Sequence, residues 1–228
     1  MKGFAAGFAT GRRSALAPRP LFIALLAVVA AALVALAERR VESFGATSRV
    51  LSGFVFGLLI PVMLVANATR VLMPMRLDAS AALFARFGAS RRAVALGLVA
   101  ASMCSAAILA AILGAVGALV AHDPTAPPRT IDALTTAWIG ALTGAAYAGL
   151  YGFGATFGRR GGGRYWAFVA DFVLGGVGGL GAAMVPRAHA ANLLGGAPPL
   201  MLSQAESAAV LVMLSAVLTL LAMARLPP

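Results

Sequence analysis

One cysteine, one lysine, two histidines and seven acidic residues are all that this 228-residue chain carries of the side chains most used in catalysis and metal binding. A lone cysteine excludes an intramolecular disulfide and a cysteine metal cluster, and Cys104, inside an apolar run, reads as a small apolar filler. His122 and His189 have no second ligand at metal spacing and read as solvated or interfacial loop residues. With Lys2 as the only lysine there is no Gly-x-x-x-x-Gly-Lys-Ser/Thr loop to cradle a nucleotide. No His-Glu-x-x-His, no Ser/His pairing and no paired aspartates occur within the apolar runs, so the residues of an intramembrane hydrolase are missing. The expectation is a chain without a cofactor, a metal or an active site of its own.

What the chain has instead is apolar length. Hydrophobic residues make up 61% and charged residues 11%, with a mean hydropathy of +0.93. Six stretches, Leu21–Ala37, Leu51–Ala68, Ala93–Ala121, Ile131–Phe157, Tyr165–Val185 and Ala208–Ala224, approach or exceed the roughly 20 helical residues that cross a hydrocarbon core. They lack the alternation of barrel strands, and only helices and closed barrels satisfy the backbone in lipid. The fold class expected is therefore all-α: a polytopic membrane protein of six transmembrane helices, in one membrane domain over residues 1–228.

Charge supplies an orientation. With a cytoplasmic N-terminus, 13 of the 18 basic residues face the cytoplasm, leaving Arg39, Arg40, Arg49, Arg129 and Arg187 outside. Both termini are then cytoplasmic, in a bacterial inner (plasma) membrane. The net charge of +11 answers to anionic lipid headgroups rather than to nucleic acid. Two readings stand for the first run. Arg12, Arg13 and Arg19 followed by Ala35-Leu36-Ala37 resemble a cleaved signal peptide, whereas a run of 17 residues suits a retained span.

Local chemistry marks helix ends and a helix outside the bilayer. Ser203-Gln204-Ala205-Glu206 has the spacing of a capping box, and Thr130 with Asp132 a weaker version. Between spans two and three, Leu77–Phe87 reads as a short amphipathic cytoplasmic helix with Asp78 at its start and Gly88 as a left-handed cap. Ser80, Leu83, Phe84 and Phe87 share one face, Asp78, Ala82 and Arg86 another, and Ser90 is placed to cap the helix opened by Arg91-Arg92. Such a helix either lies in the headgroup layer or inserts into a groove on a cytoplasmic partner.

This layout, with Leu83-Phe84-Ala85-Arg86-Phe87-Gly88-Ala89-Ser90-Arg91-Arg92 running into Gly97 of span three, resembles the permease subunit of type-2 ABC transporters. The family's Pro-Val/Ile-Ser turn is Gly88-Ala89-Ser90 here, and its acidic stretch is reduced to Asp78. The resemblance implies a coupling helix gripped by a separate cytoplasmic ATPase subunit through Asp78, Leu83, Phe84, Arg86, Phe87, Ser90, Arg91 and Arg92. It also implies a second permease copy or a related permease, and a partly re-entrant outer segment before span six, here within 186–200.

Within the spans, Asp171 is the one carboxylate well inside a run. It either pairs with Arg164 or another cytoplasmic arginine or lines a transport path, with Tyr147 and Tyr151 at interfaces or in a polar lining. Gly140, Gly144 and Gly152, and Gly175 with Gly179, form small-residue ridges for close helix packing, within the chain or between copies. Pro61 is expected to kink span two. The leading function is the membrane subunit of an ATP-driven exporter of a lipid-linked, hydrophobic or small amphipathic substrate. The alternatives are a self-contained secondary transporter or channel using Asp171, or a non-transporting membrane scaffold.

Overall fold

The computed structural model describes residues 2–42, 44–85, 88–123 and 127–227. They form ten helices: α1 (Lys2–Ala15), α2 (Pro18–Val41), α3 (Ala46–Val71), α4 (Leu77–Ala85), α5 (Arg91–Ala121), α6 (Arg129–Gly154), α7 (Gly163–Val177), α8 (Gly179–Ala183), α9 (Pro186–Leu193) and α10 (Gln204–Ala224). No strand occurs among the described residues. Four helices, α2, α3, α5 and α10, are long and apolar enough to cross a membrane, which is the composition of an integral membrane protein.

The helix α5 is the axis of the molecule. Its 31 residues span about 46 Å, some 16 Å more than a hydrocarbon core. α6 runs antiparallel to it in close contact: a Cβ on Gly144 would lie 2.5 Å from the Ala106 carbonyl oxygen, and one on Gly114 2.9 Å from that of Thr136. Gly140 meets the Ala110 backbone in the same way, and Gly149 lets α10 approach through Ser215. The ridge on α6 thus packs within the chain. With threonines, tyrosines and glycines along it, α6 is less apolar than its neighbours. It is also flanked by α5 and α10, so little of it needs to face lipid.

The first helix was not anticipated. Gly3, Gly7 and Gly11 are buried against Ser90–Ala101 of α5, with Gly97 receiving the backbone of Phe4–Phe8. This parallel pairing lies along the part of α5 that exceeds the span length. α2 then leaves through Ala17-Pro18 and buries only Ala27, Ala31 and Ala35, an i, i+4, i+8 stripe. The i, i+4, i+8 spacing of Gly3, Gly7 and Gly11 is the sequence signal for this pairing.

The two ends of the bundle have different chemistry. At the basic end Arg92 donates to the Leu226 carbonyl, Leu77 N–H to that of Ala155 (3.1 Å), and the Arg225 guanidinium sits 4.0 Å from the centre of the Phe157 ring. At the far end Gly45 N–H donates to Asp123, Asp123 N–H to the Thr47 hydroxyl, and Arg49 pairs with Glu38 and Glu42. The capping box is formed: Glu206 N–H donates to Ser203 Oγ (3.3 Å) and Ser203 N–H to Glu206 Oε2 (2.7 Å). Thr130 and Asp132 instead lie inside α6, which is opened by the Pro128 carbonyl, and the Ser90 side chain makes no capping bond.

Two spans depart from regular helix. In α3 the stretch Arg49–Leu59 is π-helical, closing with Ile60 N–H to the Val55 carbonyl, and it ends just before Pro61. π-helical stretches are rare and frequently occur at functional sites. The expected fifth span breaks after 15 residues, about 22 Å and short of a crossing. Gly178 (φ 80°, ψ −174°) and Gly179 (φ 71°) adopt left-handed conformations that disfavour side chains with a Cβ. Gly179 therefore breaks the helix, and within the chain it forms no packing ridge with Gly175; a Cβ there would meet nothing within 4 Å.

Candidate functional site

Beyond the break the chain folds back beside α7. Arg187, in the first turn of α9, donates its backbone N–H to Asp171 Oδ1 (3.2 Å), although Asp171 lies two turns before the break. Asp171 is fully buried, and its Oδ2 accepts from the Tyr147 hydroxyl at 2.6 Å. Tyr147 stacks on Tyr151, with ring centroids 5.5 Å apart and planes at 21°, and the Tyr151 hydroxyl donates to the Pro61 carbonyl (3.3 Å). One polar line thus crosses four helices: α9, α7, α6 and α3. Both tyrosines are buried in the bundle; they sit at no interface.

Arg187 completes the cluster. The charge pattern places it in an outer loop. The fold-back instead lays its aliphatic stem against Gly175, where a Cβ would meet Arg187 Cδ at 2.9 Å, and stacks its guanidinium 4.3 Å from the centre of the Phe172 ring. Gly175 is therefore the notch that admits an arginine. Arg187 Nη1 is buried and makes no hydrogen bond with a described residue, so its N–H donors stand uncommitted.

Arg164 does not pair with Asp171. It is fully buried at the basic end and donates to carbonyls of Gly161 (3.0 Å), Ala68 (3.4 Å), Met73 (3.1 Å) and Met75 (2.8 Å). Ala68, Met73 and Met75 belong to the last turn of α3 and the turn into α4, where a cation is favoured, and Gly161 to the turn before α7. Seven residues separate Arg164 from Asp171, so its pairing partner lies about 10 Å along α7, beyond the reach of its side chain once this clamp is made.

The short helix α4 forms over Leu77–Ala85, and its inward side shares Ser80 and Phe84 with the expected apolar face but not Leu83. Leu77, Ser80 and Ala81 are buried, Phe84 is half-buried against the core, and Leu83 is exposed. Ser80 Oγ donates to the Leu72 carbonyl (2.7 Å), and Asp78 pairs with Arg76 at 3.1 Å. Ser90 and Arg91 are exposed. Arg86 and Phe87 lie outside the described residues.

Toward the far end, His189 is fully buried rather than solvated. Its Nε2 lies 2.9 Å from the Ala183 carbonyl, which only accepts, so Nε2 carries the proton. Nδ1, 3.2 Å from Ser207 Oγ, then accepts from that hydroxyl, which in turn accepts from Asn192 Nδ2 (2.8 Å). This network staples α8 and α9 to the start of α10. A polar recess of about 380 Å³ opens nearby, lined by Ser52, Asp132, Thr136, Leu194 and Gln204. No group of three or more potential metal ligands is gathered among the described residues. The chain matches no family model, no curated protein and no solved structure.

Proposed function

We propose that this chain is the membrane-spanning subunit of an ATP-driven transporter of the type-2 ABC kind, an exporter energised by a separate cytoplasmic ATPase subunit. In this reading α2, α3, α5, α6, α7 with α8, and α10 are the six spans, and the basic end is cytoplasmic. α4 is the coupling helix, and the fold-back through α9 is the re-entrant outer segment. The path runs from the far-end recess, between α3, α6 and α9, to the Asp171 cluster eight residues deeper than Ile139 along α6, about 12 Å.

The observation that carries the reading is the Arg164 clamp. It ties the turn entering α4 to the base of α7, and Leu77 N–H ties α4 to the end of α6. α6 and α7 are the helices that hold Tyr147 and Asp171. A push on α4 is thus carried to the interior cluster by packed helices, as a rigid-body mechanism requires. Among the described apolar residues of α4, exposed Leu83, rather than half-buried Phe84, is free to meet a partner. The full chain, tagged and isolated from its native membrane in mild detergent, carries ATPase activity that Leu83→Asp removes while leaving the folded chain intact. Isolation of the folded chain without any ATPase overturns the reading.

The buried Asp171 with an uncommitted arginine beside it favours one alternative, a self-contained proton-coupled carrier. Proton-driven flux by the chain alone in liposomes, lost in Asp171→Asn, identifies it.

A further inference from the structure

On the flank opposite α9, helices α1, α2, α3 and α5 enclose a groove of about 510 Å³. Its body is apolar, with Ile23, Ala24, Met63, Leu109 and Ile112 among its walls, and its rim residues Leu16, Leu21 and Ile108 are exposed. The groove follows α5 from Ala101 to Ile112, about 16 Å. Arg12 of α1 and Arg70, in the last turn of α3, line its basic end, and Asn67 sits one turn deeper. Neither guanidinium hydrogen-bonds to or ion-pairs with a described residue; the described ion pairs belong to Arg49 and Arg76.

Two unpaired guanidiniums at headgroup level over an apolar slot match one chemistry: a phosphate joined to acyl chains. We propose that the groove is a binding site for one anionic glycerophospholipid of the surrounding bilayer. Its phosphate lies between Arg12 and Arg70, and an acyl chain runs along α5 toward Ile112. The site depends on α1, which supplies Arg12 and is held at its depth by Gly3, Gly7 and Gly11 on α5. Headgroup attraction of a juxtamembrane arginine is worth about fivefold in affinity, so the pair is worth about thirtyfold. The site stands independently of whether an ATPase binds at α4.

Cys104, the chain's only cysteine, is exposed and lines this groove, so the unmodified protein carries its own reporter. The full chain is placed in nanodiscs of phosphatidylcholine, with or without phosphatidylglycerol of the same acyl chains. Alkylation of Cys104 by a maleimide and retention of bound lipid in native mass spectrometry are read together. Phosphatidylglycerol slows alkylation and is retained about thirtyfold over phosphatidylcholine. Arg12→Gln/Arg70→Gln removes both effects, whereas Arg13→Gln/Arg19→Gln, which removes the same charge outside the groove, leaves them. Equal loss in the two double variants reduces the effect to general surface attraction and overturns the site. Displacement of the lipid by millimolar glycerol 3-phosphate also overturns it, because the acyl chain then contributes nothing. Ala24→Trp, which fills the slot without touching either arginine, evicts the lipid; continued retention refutes the acyl path.

Discussion

Replacing Tyr147 by phenylalanine removes one hydroxyl and nothing else from the interior cluster, because the stacked ring on Tyr151 is kept. Two magnitudes compete for the effect. Hydrogen bonds between helices in a bilayer average about 0.6 kcal/mol and reach about 1.7 kcal/mol. Bonds to a charged group are worth about 1.5–3 kcal/mol. The 2.6 Å separation from Asp171 Oδ2, with both residues fully buried, is the length of a charge-assisted O–H···O⁻ bond. The larger range is therefore expected for the coupling. A double-mutant cycle isolates it, using Tyr147→Phe, Asp171→Leu and the pair, unfolded from mixed micelles by increasing SDS. Loss of the second acceptor contact, to Arg187 N–H, occurs in both Asp171→Leu arms and cancels. A coupling of about 1.5 kcal/mol or more is expected. Effects that add within about 0.5 kcal/mol would refute the bond and the polar line built on it.

The glycines give a paired test. Gly144→Ala forces α6 away from the Ala106 carbonyl, 2.5 Å from the new Cβ, and costs about 1–3 kcal/mol by overpacking. Gly53→Ala meets nothing within 4 Å and is neutral or slightly stabilising, so equal unfolding midpoints for the two would refute the α5–α6 packing. Arg164→Lys cannot reach all four carbonyls and leaves part of the turn before α4 unsatisfied, at about 1–3 kcal/mol. That turn includes Met73 at φ 66°, a left-handed conformation the clamp holds. Limited proteolysis is expected to cut at 72–76 in the variant and not in the wild type.

Much of the architecture was written in one-dimensional patterns. Apolar run length predicts helices α2, α3, α5 and α10 to within a few residues, since lipid leaves the backbone no other option. The capping box is equally local, because hydroxyl, carboxylate and the amides they satisfy lie within four residues. Faces were harder to read. Along α4 the buried set is Leu77, Ser80, Ala81 and Phe84, whereas the apolar face of the pattern included Leu83. A small residue next to a neighbouring backbone buries as well as a large one, and hydrophobicity does not record that. The same blindness hid α1, whose buried residues are all glycines.

By itself the sequence determined the solvent, the helical class and the asymmetry of charge between ends. Each of these follows from composition or short-range spacing, and each is insensitive to how helices pack. Only the tertiary structure decided the partners of the buried charges. Asp171 and Arg164 sit two turns apart on one helix and look like a pair in sequence. Yet the broken glycines at 178 and 179 return Arg187 to the carboxylate, and the end of α3 captures Arg164. A buried charge takes whichever partner the backbone brings within about 3 Å, and that distance is set by long-range folding rather than by separation along the chain.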